Sequence, residues 1–132
     1  MQADNTSGTA LVTGGASGMG LAIVERLARD GFRVVMADRN ADLAARETQA
    51  LQAQGLAVDY RVVDLTDEHA TRQLVRELAP LAALVNNAGL FDERKFFDVT
   101  SDDYRRMFNV NLLAVATVSY THLRAHETSL HL

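Results

Sequence analysis

The sequence predicts an α/β fold: a mostly parallel sheet, covered on both faces by helices and truncated after about four strands. Three observations predict it. Short apolar runs that suit buried strands alternate with longer runs in which apolar residues recur every three or four positions. Between the first such strand and the first helical pattern, residues 10–20 (ALVTGGASGMG) break into four glycines. The later strand-like runs close on Asp38, on Asp64 and on Asn86-Asn87-Ala88-Gly89, so the polar signals gather at the carboxyl ends of strands, where ligands of such sheets bind.

Each element has its own justification. Ala10, Leu11, Val12 and Thr13 form the first strand; Gly14 and Gly15 permit a tight turn, and Gly18 and Gly20 remove side chains where backbone must approach a ligand. The helix that follows starts with unpaired N–H groups and about half a positive charge, a ready site for a pyrophosphate, although a plain strand-to-helix turn would use the same glycines. Leu21, Val24, Leu27 and Ala28 mark its buried side and Gly31 ends it. Residues 32–37 make a second strand that stops at Asp38, completing a strand–turn–helix–strand unit of about 30 residues. Asn40 caps a helix running through Gln54 to Gly55, and residues 56–65 (LAVDYRVVDL) carry a third strand that closes on Asp64.

Thr66 is expected to cap the next helix, with Asp67 and Glu68 in its first turn, Leu74, Val75 and Leu78 on its buried side and Pro80 as its stop. Residues 81–85 form a fourth strand leading into the Asn-Asn-Ala-Gly segment, where the Asn86 amide is expected to tie neighbouring strands together. A polar loop with Phe91, Phe96 and Phe97 precedes a helix start at Thr100-Ser101-Asp102-Asp103. From there Tyr104, Met107, Phe108, Asn111, Leu112 and Val115 keep spacings of three and four, which places Asn111 on an apolar, core-facing side.

Composition narrows the function. A chain of 132 residues, 48% hydrophobic and 23% charged, suffices for one domain with a real core. A net charge of −4 with dispersed Lys and Arg argues against nucleic acid or an anionic membrane surface as a partner. The absence of cysteine excludes disulfides, thiolate metal sites and a cysteine nucleophile. MQADNTSG lacks the basic start and apolar core of a signal peptide, and no apolar stretch nears the roughly 20 residues that span a bilayer, so a cytoplasmic location is expected. His122, His126 and Glu127 have the helical spacing of metal ligands, but a frayed terminus or out-of-frame coding sequence is the stronger account of them, and no metal is expected.

Taken together, TGGASGMG at 13–20, the acid at 38, VVDLTD at 62–67, NNAG at 86–89 and VNL at 110–112 resemble the N-terminal, cofactor-binding part of a classical short-chain dehydrogenase/reductase. The resemblance implies a Rossmann-type, NAD(P)-binding domain over residues 1–117. It places the cofactor's pyrophosphate against Gly14, Ser17, Gly18, Met19 and Gly20, its adenosine ribose at Asp38, its adenine beside Asp64 and Leu65, and its nicotinamide ribose near Asn87, Ala88 and Gly89. A carboxylate at Asp38 accepts bonds from ribose hydroxyls and repels a 2′-phosphate, which favours NAD over NADP. Ser17 agrees, standing where NADP-using relatives often carry Arg or Lys; Arg39 is the residue that could instead hold a 2′-phosphate. Asn111 is the one catalytic position the resemblance supplies, as the holder of a water in a proton relay.

By the same resemblance, the complete protein moves a hydride between nicotinamide and the carbonyl or alcohol carbon of a small-molecule substrate and assembles as a homo-oligomer. The catalytic Ser and Tyr-x-x-x-Lys do not follow Asn111 here: Tyr120 and Arg124 mimic only the spacing, and arginine cannot share its proton usefully. The stretch is therefore expected to be an inactive oxidoreductase fragment, with a non-catalytic dinucleotide-binding regulatory module as the alternative. Residues 118–132 (VSYTHLRAHETSLHL) depart from the family pattern and are expected to be an atypical tail, either a frayed terminus or coding sequence out of its native frame.

Overall fold

The computed structural model describes residues 7–89, 99–109, 115, 117–119 and 122–123. In order they form β1 (Thr9–Thr13), α1 (Gly18–Arg29), β2 (Arg33–Asp38), α2 (Ala41–Gln52), β3 (Val58–Val62), α3 (Glu68–Leu78), β4 (Ala83–Asn86) and α4 (Ser101–Phe108). The strands pair in parallel in the order β3-β2-β1-β4. The chain thus steps outward from β1 to β3, and α3 returns it to the far side of β1. That reversal is a switch point, where the loops leaving β1 and β4 part and open a crevice. Register keeps the strand ends level: Thr13 lies opposite both Ala37 and Asn86, and Asp38 opposite Val62.

Both faces of the sheet are covered, which is why the strands read as continuous apolar runs and not as alternating ones. Ala10, Val12, Val34 and Met36 cluster with Val24 and Ala28 of α1 and Ala44 and Leu51 of α2. Leu11, Val35 and Ala37 cluster with Leu74 and Val75 of α3 and with Val118. Side-chain pairs such as Arg29–Glu25 at 2.9 Å and Arg26–Asp30 at 3.1 Å are exposed. Pairs of that kind give only about 0.3–0.5 kcal/mol each, so apolar burial holds α1 in place.

The elements stand where the sequence places them, with local differences. α2 ends two residues before Gln54, because Gln54 and Gly55 close a turn on the carbonyls of Leu51 and Gln52. α3 is capped by Asp67, whose Oδ1 accepts from the N–H of Ala70, and not by Thr66. Thr66 is engaged elsewhere: its N–H and hydroxyl both donate to Asp64 Oδ1, at 3.0 and 2.7 Å, which delays the helix by one residue. α4 opens with a capping box between Thr100 and Asp103. Phe108, expected in the core, is 51% exposed. The side chains of Tyr104 and Met107, the Phe91–Phe97 loop, Asn111 and Leu112 lie outside the described residues, as do Tyr120, Arg124, His126 and Glu127. Among the described residues no helix is long and apolar enough to cross a membrane.

Candidate functional site

The glycine turn is built by three different constraints. Gly14 takes φ of +64°, a left-handed conformation that favours glycine, and donates its N–H to the Ala37 carbonyl at 2.8 Å, tying the turn to the end of β2. A Cβ on Gly15 would sit 2.6 Å from Met36 Cβ, so this glycine serves packing against β2 more than turn conformation. Gly18 has φ of +55° with open space where a Cβ would go, whereas a Cβ on Gly20 would collide with the Gly14 carbonyl and reach 2.5 Å from Asn87 Nδ2. The chain itself fills the space beside Gly20 where a side chain would go. The exposed, open position is Gly18.

On the other side of the crevice, the 1% exposed Thr13 organises the loop after β4. Its hydroxyl accepts from the N–H groups of Asn87 and Ala88 at 3.0 and 3.1 Å and donates to the Val85 carbonyl at 3.4 Å. Asn87 Nδ2 donates to the Gly14 carbonyl at 3.0 Å, so the side chain expected to meet a ligand also joins the loop to the turn. Asn86, expected to tie strands together, instead donates through Nδ2 to Ser119 Oγ at 3.0 Å and links β4 to the helical residues 117–119. The physical reason is the sheet face it occupies: Leu84, two residues earlier on the same face, packs in the cluster that contains Val118, the neighbour of Ser119.

Asp38 and Asp64 end two neighbouring strand paths. Asp38 accepts from the Ala16 N–H on Oδ2 at 3.1 Å and from the Asn40 N–H on Oδ1 at 3.0 Å. The Thr66 hydroxyl, then the Thr66 N–H, hold the Asp64 carboxyl below its ordinary value of 3.8; slight burial opposes them and the Arg39 guanidinium assists. A carboxyl lowered in the folded state adds stability that is present above the unfolded value and is lost as pH falls through the folded one. Asp64→Asn is accordingly expected to flatten the acid limb of a Tm–pH profile below about pH 4. The effect should be small because the carboxylate is exposed; an acid limb identical to that of the parent chain would remove Asp64 from the account.

These pieces border one open cleft of about 300 Å³. Of the expected cofactor residues, Gly14, Ser17, Asp38, Asp64 and Leu65 line it, together with Asn87, Ala88 and Gly89. Gly18 and Met19 stand beside it at the start of α1, with the Met19 side chain 74% exposed, and Gly20 faces into the turn. Asn111 lies outside the described residues. Ala37 and Val63 also line the cleft and were not anticipated, although each directly precedes a strand-end acid. Thr13 was missed as well, and its signal was a hydroxyl ending an apolar strand, which needs a buried partner.

The start of α1 differs from every other described helix. α2, α3 and α4 have capping side chains from Asn40, Asp67 and Thr100 and acids in their first turns. α1 has neither: Ser17 makes no side-chain capping bond and the first turn holds no acid. Its first N–H groups are therefore open to water or to an anion from outside the helix.

Against known proteins, the family model for short chain dehydrogenases matches residues 8–129. The chain belongs to the short-chain dehydrogenase family. Among relatives in this family, a cyclopentanol dehydrogenase from Comamonas is 35% identical over 109 residues, covering 80% of this chain and 44% of the relative. A sorbitol dehydrogenase from Cereibacter sphaeroides is 40% identical, covering 79% and 41%. Among solved structures, an actinorhodin polyketide ketoreductase crystallised with NADPH superposes with a TM-score of 0.85 at 30% identity, over 94% of this chain and 49% of that one. A Burkholderia cenocepacia short chain dehydrogenase in complex with NADP gives 0.83 at 35%, over 92% and 52%. The chain thus spans less than half the length of these curated short-chain dehydrogenase relatives.

Proposed function

We propose that the cleft binds a nicotinamide dinucleotide and that the chain is the cofactor-binding part of an oxidoreductase acting on a carbonyl or alcohol carbon of a small molecule. The observation that carries this is the start of α1: the one described helix with no anion of its own opens beside Asp38, Asp64 and Asn87–Gly89. The N–H groups at Ser17–Gly20 would bind the pyrophosphate, Asp38 the adenosine ribose, Asp64 and Leu65 the adenine, and Asn87, Ala88 and Gly89 the nicotinamide ribose. When bound, the dinucleotide supplies the hydride donor or acceptor. The chain's own share is to hold it: Thr13 fixes the loop after β4, and that loop holds the turn through Asn87. Asn111 is proposed to position the relay water, and the complete protein to be a cytoplasmic homo-oligomer. The relatives named for cyclopentanol and sorbitol support an alcohol or its carbonyl as the substrate class.

Asp38 supports NAD, because a 2′-phosphate at the end of β2 would lie against its charge. One observation favours NADP as a second reading: Arg39 is exposed and lines the same cleft, and solved relatives hold NADP or NADPH. Titration of the chain with NADH and NADPH, followed by nicotinamide fluorescence, separates the two. NADH is expected to bind more tightly. Tighter NADPH binding would transfer the ribose role to Arg39, and binding of neither would overturn the dinucleotide reading.

A further inference from the structure

We propose that Asp38 is a strut for the phosphate-binding turn as well as a ribose acceptor, so that it couples the two halves of the adenosine diphosphate site. This rests on the dinucleotide reading and adds to it an internal function for the same carboxylate. Residues 14–17 connect β1 to α1, and their conformation sets the direction of the N–H groups that open that helix. Two bonds lace the turn to the end of β2. One is backbone to backbone, Gly14 N–H to the Ala37 carbonyl at 2.8 Å. The other depends on a side chain, Ala16 N–H to Asp38 Oδ2 at 3.1 Å. Ala16 is fully buried, and its N–H donates to no other acceptor among the described residues. Asp38 is held in turn by the Asn40 N–H on Oδ1 at 3.0 Å, at the start of α2. The carboxylate therefore bridges the beginnings of two helices.

Its capacity allows both functions at once. A carboxylate offers about four acceptor positions on two oxygens, and two backbone N–H groups occupy one on each. The remaining positions can accept from a ribose diol while the strut stays in place. Substituting Asp38 consequently removes more than ribose recognition: the Ala16 N–H loses its acceptor and the turn loses its side-chain tie. Altering cofactor preference at this position should weaken the pyrophosphate site too.

The test separates the two functions with a ligand that has the diphosphate but no ribose hydroxyls. Binding of ADP and of 2′,3′-dideoxy-ADP to the 132-residue chain is measured by calorimetry for the parent and for Asp38→Ala. If Asp38 only recognises hydroxyls, the variant loses ADP affinity and keeps that for the dideoxy nucleotide, which would overturn the strut. If it is a strut, dideoxy-ADP binding also falls, by about fivefold or more, since a hydrogen bond to a charged group is lost. Hydrogen exchange adds a readout without ligand: the Ala16 amide should exchange faster in the variant while β3 amides keep their protection, and unchanged Ala16 exchange would likewise overturn the proposal. Should Asp38→Ala not fold, the isosteric Asp38→Asn is read by hydrogen exchange: its one acceptor oxygen can serve the Ala16 or the Asn40 N–H but not both, so faster exchange at one of the two amides is expected and unchanged exchange at both would overturn the strut. A parent chain that binds neither nucleotide would instead defeat the dinucleotide reading on which the strut's function depends, whatever Ala16 exchange shows.

Discussion

Gly20→Ala is expected to destabilise the chain by about 3 kcal/mol and to abolish nucleotide binding, although it adds a single methyl group. The methyl would enter the Gly14 carbonyl and stand 2.5 Å from Asn87 Nδ2. Neither neighbour can withdraw cheaply. The carbonyl belongs to a turn pinned by the Gly14–Ala37 bond, and the Asn87 amide is donating to that same carbonyl at 3.0 Å. Relief requires either the Gly14 carbonyl to turn away, which breaks the Asn87 bond, or α1 to slide from the turn, which moves the helix start out of the cleft. Gly18→Ala is the control, since no atom lies within 4 Å of its Cβ and only its φ of +55° opposes the change. That backbone term is about 1–2 kcal/mol. Urea unfolding of the two variants should show the larger fall in midpoint for Gly20→Ala at unchanged slope. Equal midpoints would contradict the packing account.

Thr13→Val is expected to cost about 2 kcal/mol. Valine preserves the shape and the β-branched strand preference, so the change isolates the hydroxyl. Without it the N–H groups of Asn87 and Ala88 lose their acceptor, and the loop after β4 loses its tie to β1. Both residues are only half-buried, so water replaces part of the loss, which sets the estimate at the lower end for two unsatisfied donors. Thr13→Ser should restore most of the stability and binding, because it returns the hydroxyl. A serine variant as weak as the valine one would show that packing and not hydrogen bonding governs the position. Thr13 and Gly20 both act on Asn87, so the double variant should fall short of the sum of the two effects.

Much of the fold was legible because its signals are local. The helical spacing of Leu21, Val24 and Ala28, the Asn40 cap and the helix start at Thr100 each operate within a few residues, and each appears where the sequence placed it. Local signals also failed where two local partners competed. Thr66 was the expected cap, but the Asp64 carboxylate takes its hydroxyl and Asp67 caps α3 in its place. Phe108 kept helical spacing with the apolar residues around it, yet spacing names a face without saying what covers it.

By itself, the sequence determined the alternation of strands and helices, the family, and the gathering of the glycine turn, Asp38, Asp64 and Asn87–Gly89 at one edge of a parallel sheet. These follow from periodicity and from the rule that a parallel crossover returns each strand in the same direction. Only the tertiary structure decided what each of those residues does for the chain itself. Gly15 and Gly20 make room for Met36 and for the turn, Thr13 anchors a loop more than 70 positions away, and Asp38 accepts from Ala16 at a separation of 22. Such contacts join residues distant in sequence through the register of β1 with β2 and β4, and no local pattern encodes a register set by the packing of the whole sheet.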